Sequence, residues 1–209
     1  MSSVKIGVLI SGGGTNLQAL IDSIKNKEIN GSIKLVISYK IDAYGLTRAK
    51  DNNIESLYIN RKNFASQEDY NRKLIEEFKK RDIELIVLAG YLKVLSSEFI
   101  SAYDMKIINI HPSLIPSFSG KGYYGEKVHQ AVLDRGVKLT GATVHFVDEG
   151  TDTGPIIIQK CVGVDEDEVL ESLKSKVLEV EHEILVEAVK LYCDDMIRVE
   201  NRKVKLRKV

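Results

Sequence analysis

The stretch IELIVLA, residues 83–89, is apolar at every position but one. A run that continuous describes a strand covered on both faces, the condition of a parallel sheet with helices packed above and below it. The rest of the first half fits that arrangement. VKIGVLI (4–10), IKLVISY (33–39), ESLYI (55–59) and KIINI (106–110) read as further short strands. Between them lie helical stretches. Leu17, Leu20, Ile21 and Ile24 recur at the spacing of one helix face, and residues 43–52 and 67–80 read the same way. Strands separated by helices predict an α/β fold, a mostly parallel twisted sheet with helices on both faces and a Rossmann-like N-terminal half.

The pattern changes after residue 120. A helix over 124–136 is followed by two strands, 140–148 and 154–164, close enough in sequence to pair antiparallel. One long helix then spans 165–195, with Leu170, Leu173, Val177, Val180 and Ile184 on its buried stripe. Asp165 as N-cap with Glu168 three residues on is expected to open it as a variant capping box. The predicted organisation is a single domain over 1–195, in two halves (1–100 and 101–195). A basic tail follows over 196–209, its 197–208 stretch read as an exposed hairpin with no assigned role.

Charge narrows the function classes. Thirty basic residues balance thirty acidic ones, so the chain lacks the broad positive field that nucleic acid or an anionic membrane would select. No apolar run approaches the ~20 residues of a membrane span. Cys161 and Cys193 form no CxxC pair, and no His-carboxylate spacing suggests zinc. The expectation is a cytoplasmic protein without nucleic-acid, membrane or metal partners.

Two polar stretches interrupt the apolar pattern. The first, SGGGTN (11–16), links the first strand to the first helix. Its glycines let backbone N–H groups approach a ligand, and a helix N-terminus favours an anion such as phosphate. Thr15 with Gln18 is read as a capping box. Neither the dinucleotide fingerprint nor the P-loop signature is present, so a glycine turn with no ligand stays open. The second stretch is NIHP (109–112). Side chains alternate along a strand, so Asn109 and His111 share one side while Ile108 and Ile110 take the other. They stand at the carboxyl end of a parallel strand, where open α/β sheets bind ligands, and Pro112 ends the ladder. An amide that donates to an oxyanion, beside an imidazole that moves a proton, suits acyl transfer. The polar turn DEGTDTGP (148–155) offers Asp148, Glu149 and Asp152 as a carboxylate partner. No Ser or Cys stands in a nucleophile elbow, so the nucleophile is expected from a substrate. By chemistry alone, a solvated polar strand end remains the alternative.

Together, VLISGGGTNLQALID, IVLAGYLKVLS, NIHPSLIPSF, GATVHFVDEGTDTGPIIIQ and EVEH resemble, in order and spacing over nearly the whole chain, the phosphoribosylglycinamide formyltransferases. The resemblance implies a formyltransferase fold, with 1–100 as the phosphate-binding half and 101–195 as the catalytic and folate half. It implies transfer of a formyl group from 10-formyltetrahydrofolate to the amine of glycinamide ribonucleotide in purine biosynthesis, without a metal, by a monomer or homodimer. Asn109 would stabilise the oxyanion, His111 act as general acid, and Asp152 support that histidine. Gly14, Thr15 and Asn16 would hold the substrate phosphate. Glu181 would hold its ribose, with Leu178 where a polar side chain is common. Gln67, Leu92, Lys93, Val94 and Leu95 would line the folate site with Asn109 and the turn Asp148, Glu149, Gly150, Thr151 and Asp152. Gln67 and Lys93 stand where many relatives carry Arg, and Lys cannot reproduce the bidentate guanidinium fork. The 119–130 loop is longer and richer in Gly and Tyr than in many relatives.

Formyltetrahydrofolate hydrolysis, formyl-methionyl-tRNA synthesis and non-catalytic phosphate binding are the competing functions. For His145 the residues leave two readings open, support from the core or direct contact with a ligand. His129 and His182 read as structural or exposed helix residues.

Overall fold

The computed structural model describes residues 3–207. Its contacts divide into two compact units, one ending at Ile108 and the other beginning at Asn109. In the first, strands and helices alternate: β1 (Val4–Ile10), α1 (Thr15–Lys25), β2 (Gly31–Ser38), α2 (Tyr44–Asp51), β3 (Ser56–Tyr58), α3 (Gln67–Lys79), β4 (Leu85–Leu88) and α4 (Ser97–Ala102). β1 pairs in parallel with β2 and with β4, and β2 pairs in parallel with β3. All four residues of β4 are buried, as its unbroken apolar sequence requires of a strand covered on both faces. Leu17, Leu20 and Ile21 of α1 and Tyr70, Leu74 and Phe78 of α3 are buried with them. The winding reverses between β1 and β4. Their carboxyl ends therefore mark the switch point at which such sheets bind ligands.

The sequence reading contained no α4. Six residues are too few to show a helical period. Its signal is local: the Ser96 hydroxyl accepts the Phe99 N–H at 3.2 Å as an N-cap.

β5 (Ile107–His111) leads into the second unit, which contains α5 (Glu126–Arg135), β6 (Leu139–Phe146), β7 (Ile156–Gly163), α6 (Leu170–Cys193), β8 (Ile197–Glu200) and β9 (Lys203–Leu206). The main sheet has seven strands in the order β3-β2-β1-β4-β5-β6-β7, and β8 and β9 form a separate pair. β6 and β7 are antiparallel. Their register shifts between Val144 and His145, a bulge of the kind that re-aims a side chain beside a site.

Two helix starts differ from expectation. α6 begins at Leu170 rather than Asp165. Residues 165–168 form a turn instead: the Glu168 carboxylate accepts the Asp165 N–H at 3.3 Å and binds Lys176. At α1, Gly14 rather than Thr15 is the N-cap, in the left-handed region at φ 71, and no side chain caps the helix. A Cβ on Gly14 would stand 2.6 Å from the Gly45 Cα. The close approach of loop and α2 fixes glycine there. The Gln18 amide turns instead to Asp22, donating at 2.8 Å. No helix among the described residues is long and apolar enough to cross a membrane.

Candidate active site

In the second unit, β5 ends by presenting Asn109 and His111. The chain leaves the ladder at Pro112 and folds into a turn pinned against β6. The Thr143 hydroxyl donates to the Ser113 carbonyl at 2.6 Å and accepts the Ile115 N–H at 3.1 Å. The Gln159 amide donates to the Ile115 carbonyl at 2.9 Å. The Ser113 hydroxyl donates to the Ser117 carbonyl at 2.6 Å. This turn brings the Phe118 carbonyl to 2.9 Å from His111 Nε2. A carbonyl only accepts, so Nε2 carries the proton. The other nitrogen, Nδ1, faces Asp152 Oδ2 at 3.6 Å, within ion-pair range and longer than a hydrogen bond.

His145 completes the group. Residues 140–146 of β6 are all buried, and Gly141, Thr143 and His145 alternate with the apolar Ala142, Val144 and Phe146. The period-two pattern thus puts His145 on the face that carries Thr143. Its Nδ1 lies 2.7 Å from the Phe146 carbonyl and donates to it. In the neutral ring Nε2 is then an acceptor, and it takes an N–H of the Asn109 amide at 3.0 Å. Asp152 Oδ1 stands 3.8 Å from the same Nε2. Burial pushes the His145 pKa below the usual histidine value, with His111 acting in the same direction. The Phe146 carbonyl and the Asp152 and Asp148 carboxylates oppose that shift. The ring is therefore held neutral, which preserves Nε2 as an acceptor. Of the two readings left open for His145, the geometry favours support of the site. The alternation on β6 was its signal in the sequence.

Asp152 reaches the histidines from the turn between β6 and β7. It adopts a left-handed conformation at φ 57, and its Oδ2 accepts the Gly120 N–H at 2.9 Å. The turn closes where the Phe146 N–H donates to the Pro155 carbonyl at 2.9 Å. Gly154 permits the closure, because a Cβ there would lie 1.8 Å from the Phe146 carbonyl oxygen. Asp148 braces the turn from inside, accepting the Gly150 N–H at 3.2 Å and the Thr153 hydroxyl at 2.5 Å. Glu149 and Thr151 are exposed on it.

On α6, Leu178 and Glu181 are both half-buried, one turn apart. His129 on α5 is buried, and burial, aided by Lys174, lowers its pKa to about 4. Among the described residues no group of three His, Cys, Asp or Glu side chains could hold a metal ion.

In the first unit, the glycine loop and the loop after β4 meet where the Ser11 hydroxyl donates to the Gly90 carbonyl at 2.5 Å. Gly14, Thr15 and Asn16 open α1 there. Leu92 and Val94 are 46% and 70% exposed while Leu95 is 6% exposed, so Leu92 and Val94 offer apolar surface and Leu95 packs inward. Lys93 lies over the Tyr39 ring at 5.2 Å. Gln67 donates to the Val94 carbonyl at 2.9 Å and accepts from Arg61 Nε at 2.9 Å. A guanidinium thus adjoins Gln67, supplied by a short 3₁₀ turn at Arg61–Asn63 that the sequence reading did not contain.

The chain matches the formyl transferase family over residues 4–189. It is 38% identical over 197 residues to the phosphoribosylglycinamide formyltransferase of Haemophilus influenzae, covering 94% of this chain and 91% of that one. The chloroplastic phosphoribosylglycinamide formyltransferase of Vigna unguiculata is 37% identical over 193 residues, which cover 92% of this chain but only 62% of the plant protein. The crystal structure of glycinamide ribonucleotide transformylase 1 from Symbiobacterium toebii superposes with a TM-score of 0.94 at 38% identity, covering 99% of this chain and 95% of that one. The chain belongs to the phosphoribosylglycinamide formyltransferases of the formyl transferase family.

Proposed function

We propose that this chain transfers the formyl group of 10-formyltetrahydrofolate to the amine of N1-(5-phospho-D-ribosyl)glycinamide, a step of purine biosynthesis. The observation that carries the reading is the Asn109 amide. One N–H is committed to His145, and the other makes no protein hydrogen bond among the described residues. A donor fixed by a buried partner and left unspent is what an oxyanion needs. No Ser or Cys side chain hydrogen-bonds His111 among the described residues, which agrees with a nucleophile brought by the acceptor.

In the proposed reaction the neutral amine attacks the formyl carbon. Negative charge gathers on the formyl oxygen, where Asn109 and His111 donate to it. The bond from the formyl carbon to the folate nitrogen breaks, that nitrogen gains a proton, and the attacking nitrogen loses one. Asp152 supports this exchange from beside His111 Nδ1 and through a water it orients. Because His111 Nε2 is bonded to the Phe118 carbonyl, donation from that atom requires the 113–118 turn to yield it. Gly14, Thr15 and Asn16 take the substrate phosphate at the positive end of α1, and Glu181 takes the ribose beside Leu178. Gln67, Leu92, Lys93, Val94 and the Leu95 backbone receive the folate, together with Asn109 and residues 148–152.

The test mixes protein, 10-formyltetrahydrofolate and glycinamide ribonucleotide, omitting each in turn, and follows tetrahydrofolate release. Release that requires the acceptor is expected. Release without it would mean hydrolysis, and no release would overturn the assignment.

A further inference from the structure

The C-terminal hairpin contains a backbone conformation that its sequence does not favour. β8 and β9 pair with Glu200 opposite Lys203, so Asn201 and Arg202 form a two-residue turn. Both have positive φ, 49 and 64. Such turns ask for Asn-Gly, since only glycine takes the second position without steric cost. Asn201 suits its place. Arg202 carries strain that glycine would not.

What the strained residue holds is the turn bearing Asp152. Arg202 Nη2 donates to the Thr153 carbonyl at 2.5 Å and to Asp148 Oδ2 at 3.3 Å. Asp148 and Thr153 stand on opposite arms of that turn, with Asp152 between them. Asp148 spends its Oδ1 inside the turn on Gly150 and Thr153 and its Oδ2 outward on the guanidinium. We infer that Arg202 is a positioning residue for Asp152, clamping both arms of the turn that sets this carboxylate against His111 and His145. The side chain is 68% exposed, so the ion pair contributes little to stability. Its effect is geometric. Asp152 already stands 3.6 and 3.8 Å from its two imidazoles, where a small displacement changes the interaction with both. Pairing Asp148 with a cation also offsets a second carboxylate that acts on His145.

The role in turnover rests on the proposed reaction; the clamp itself does not. Arg202→Gly removes the side chain and relieves the backbone, so a merely structural role predicts equal or greater stability and no other change. The clamp predicts an unfolding midpoint at or above wild type. It also predicts amide exchange about tenfold faster at Gly120, which donates to Asp152, and at Phe146, which closes the turn. Turnover should be about tenfold lower with KM unchanged. Exchange is measured without substrates, so a protein that transferred no formyl group would still report on the clamp. Exchange at both amides within about twofold of wild type, or a turnover loss that merely follows a lowered midpoint, would overturn the inference.

Discussion

His145 accepts an N–H of the Asn109 amide at 3.0 Å while giving its own Nδ1–H to the Phe146 carbonyl at 2.7 Å. The first bond fixes the direction of the amide and the second fixes the tautomer that makes the first possible. His145→Phe keeps a planar ring and removes the acceptor, leaving the amide free to turn. Turnover is expected to fall about 10- to 100-fold with little change in KM. Asn109→Ala should cost about 100- to 1,000-fold, the loss of one oxyanion donor. Because His145 acts through Asn109, the double variant should be little worse than Asn109→Ala alone. Steady-state kinetics on the three proteins form the cycle, and additive losses would separate the two residues.

Asp152→Asn keeps an oxygen for the Gly120 N–H and removes the charge, so the fold should persist. Turnover should fall about 100-fold or more. A carboxylate favours the charged form of a nearby imidazole, so the pH profile should change with the charge removed. His145, whose pKa Asp152 holds up against burial, should become harder still to protonate. An unchanged profile at wild-type turnover would remove Asp152 from the mechanism.

His129 makes a prediction about stability rather than rate. Its folded pKa is lowered to about 4 from the ordinary 6.5. Above pH 6.5 both folded and unfolded rings are neutral, and nothing is lost. As pH falls from 6.5 toward 4, the unfolded ring gains a proton and the folded ring does not, so stability falls with pH. At ~1.4 kcal/mol per unit the loss approaches ~3 kcal/mol near pH 4. Urea melts at pH 7 and pH 5 should show His129→Gln losing less than wild type over that interval. Equal losses would mean that the ring is not desolvated.

The sheet was legible because period and apolarity act locally. β4, buried on both faces, is written as an unbroken apolar run, and the Asn109–His111 pair follows from strand alternation. What escaped depends on residues remote in sequence. Gly14, not Thr15, caps α1 because α2 brings Gly45 against it. Glu168 still takes the Asp165 N–H, but from a turn that precedes α6 and is tied to Lys176. The bond from Asn109 to His145 spans 36 positions, so alternation gives the face of His145 but nothing local names its partner. Arg202 looked like one more tail cation, since its acceptors, Asp148 and Thr153, lie about fifty positions upstream.

The most direct test follows the transferred carbon itself. With 10-formyltetrahydrofolate carrying a ¹³C-labelled formyl group and glycinamide ribonucleotide as acceptor, ¹³C NMR should show the label leaving the folate and reappearing as a formamide on the glycinamide nitrogen. The Asn109→Ala protein should slow that transfer about 100-fold or more. Label released as formate, or a rate indifferent to Asn109, would contradict the account.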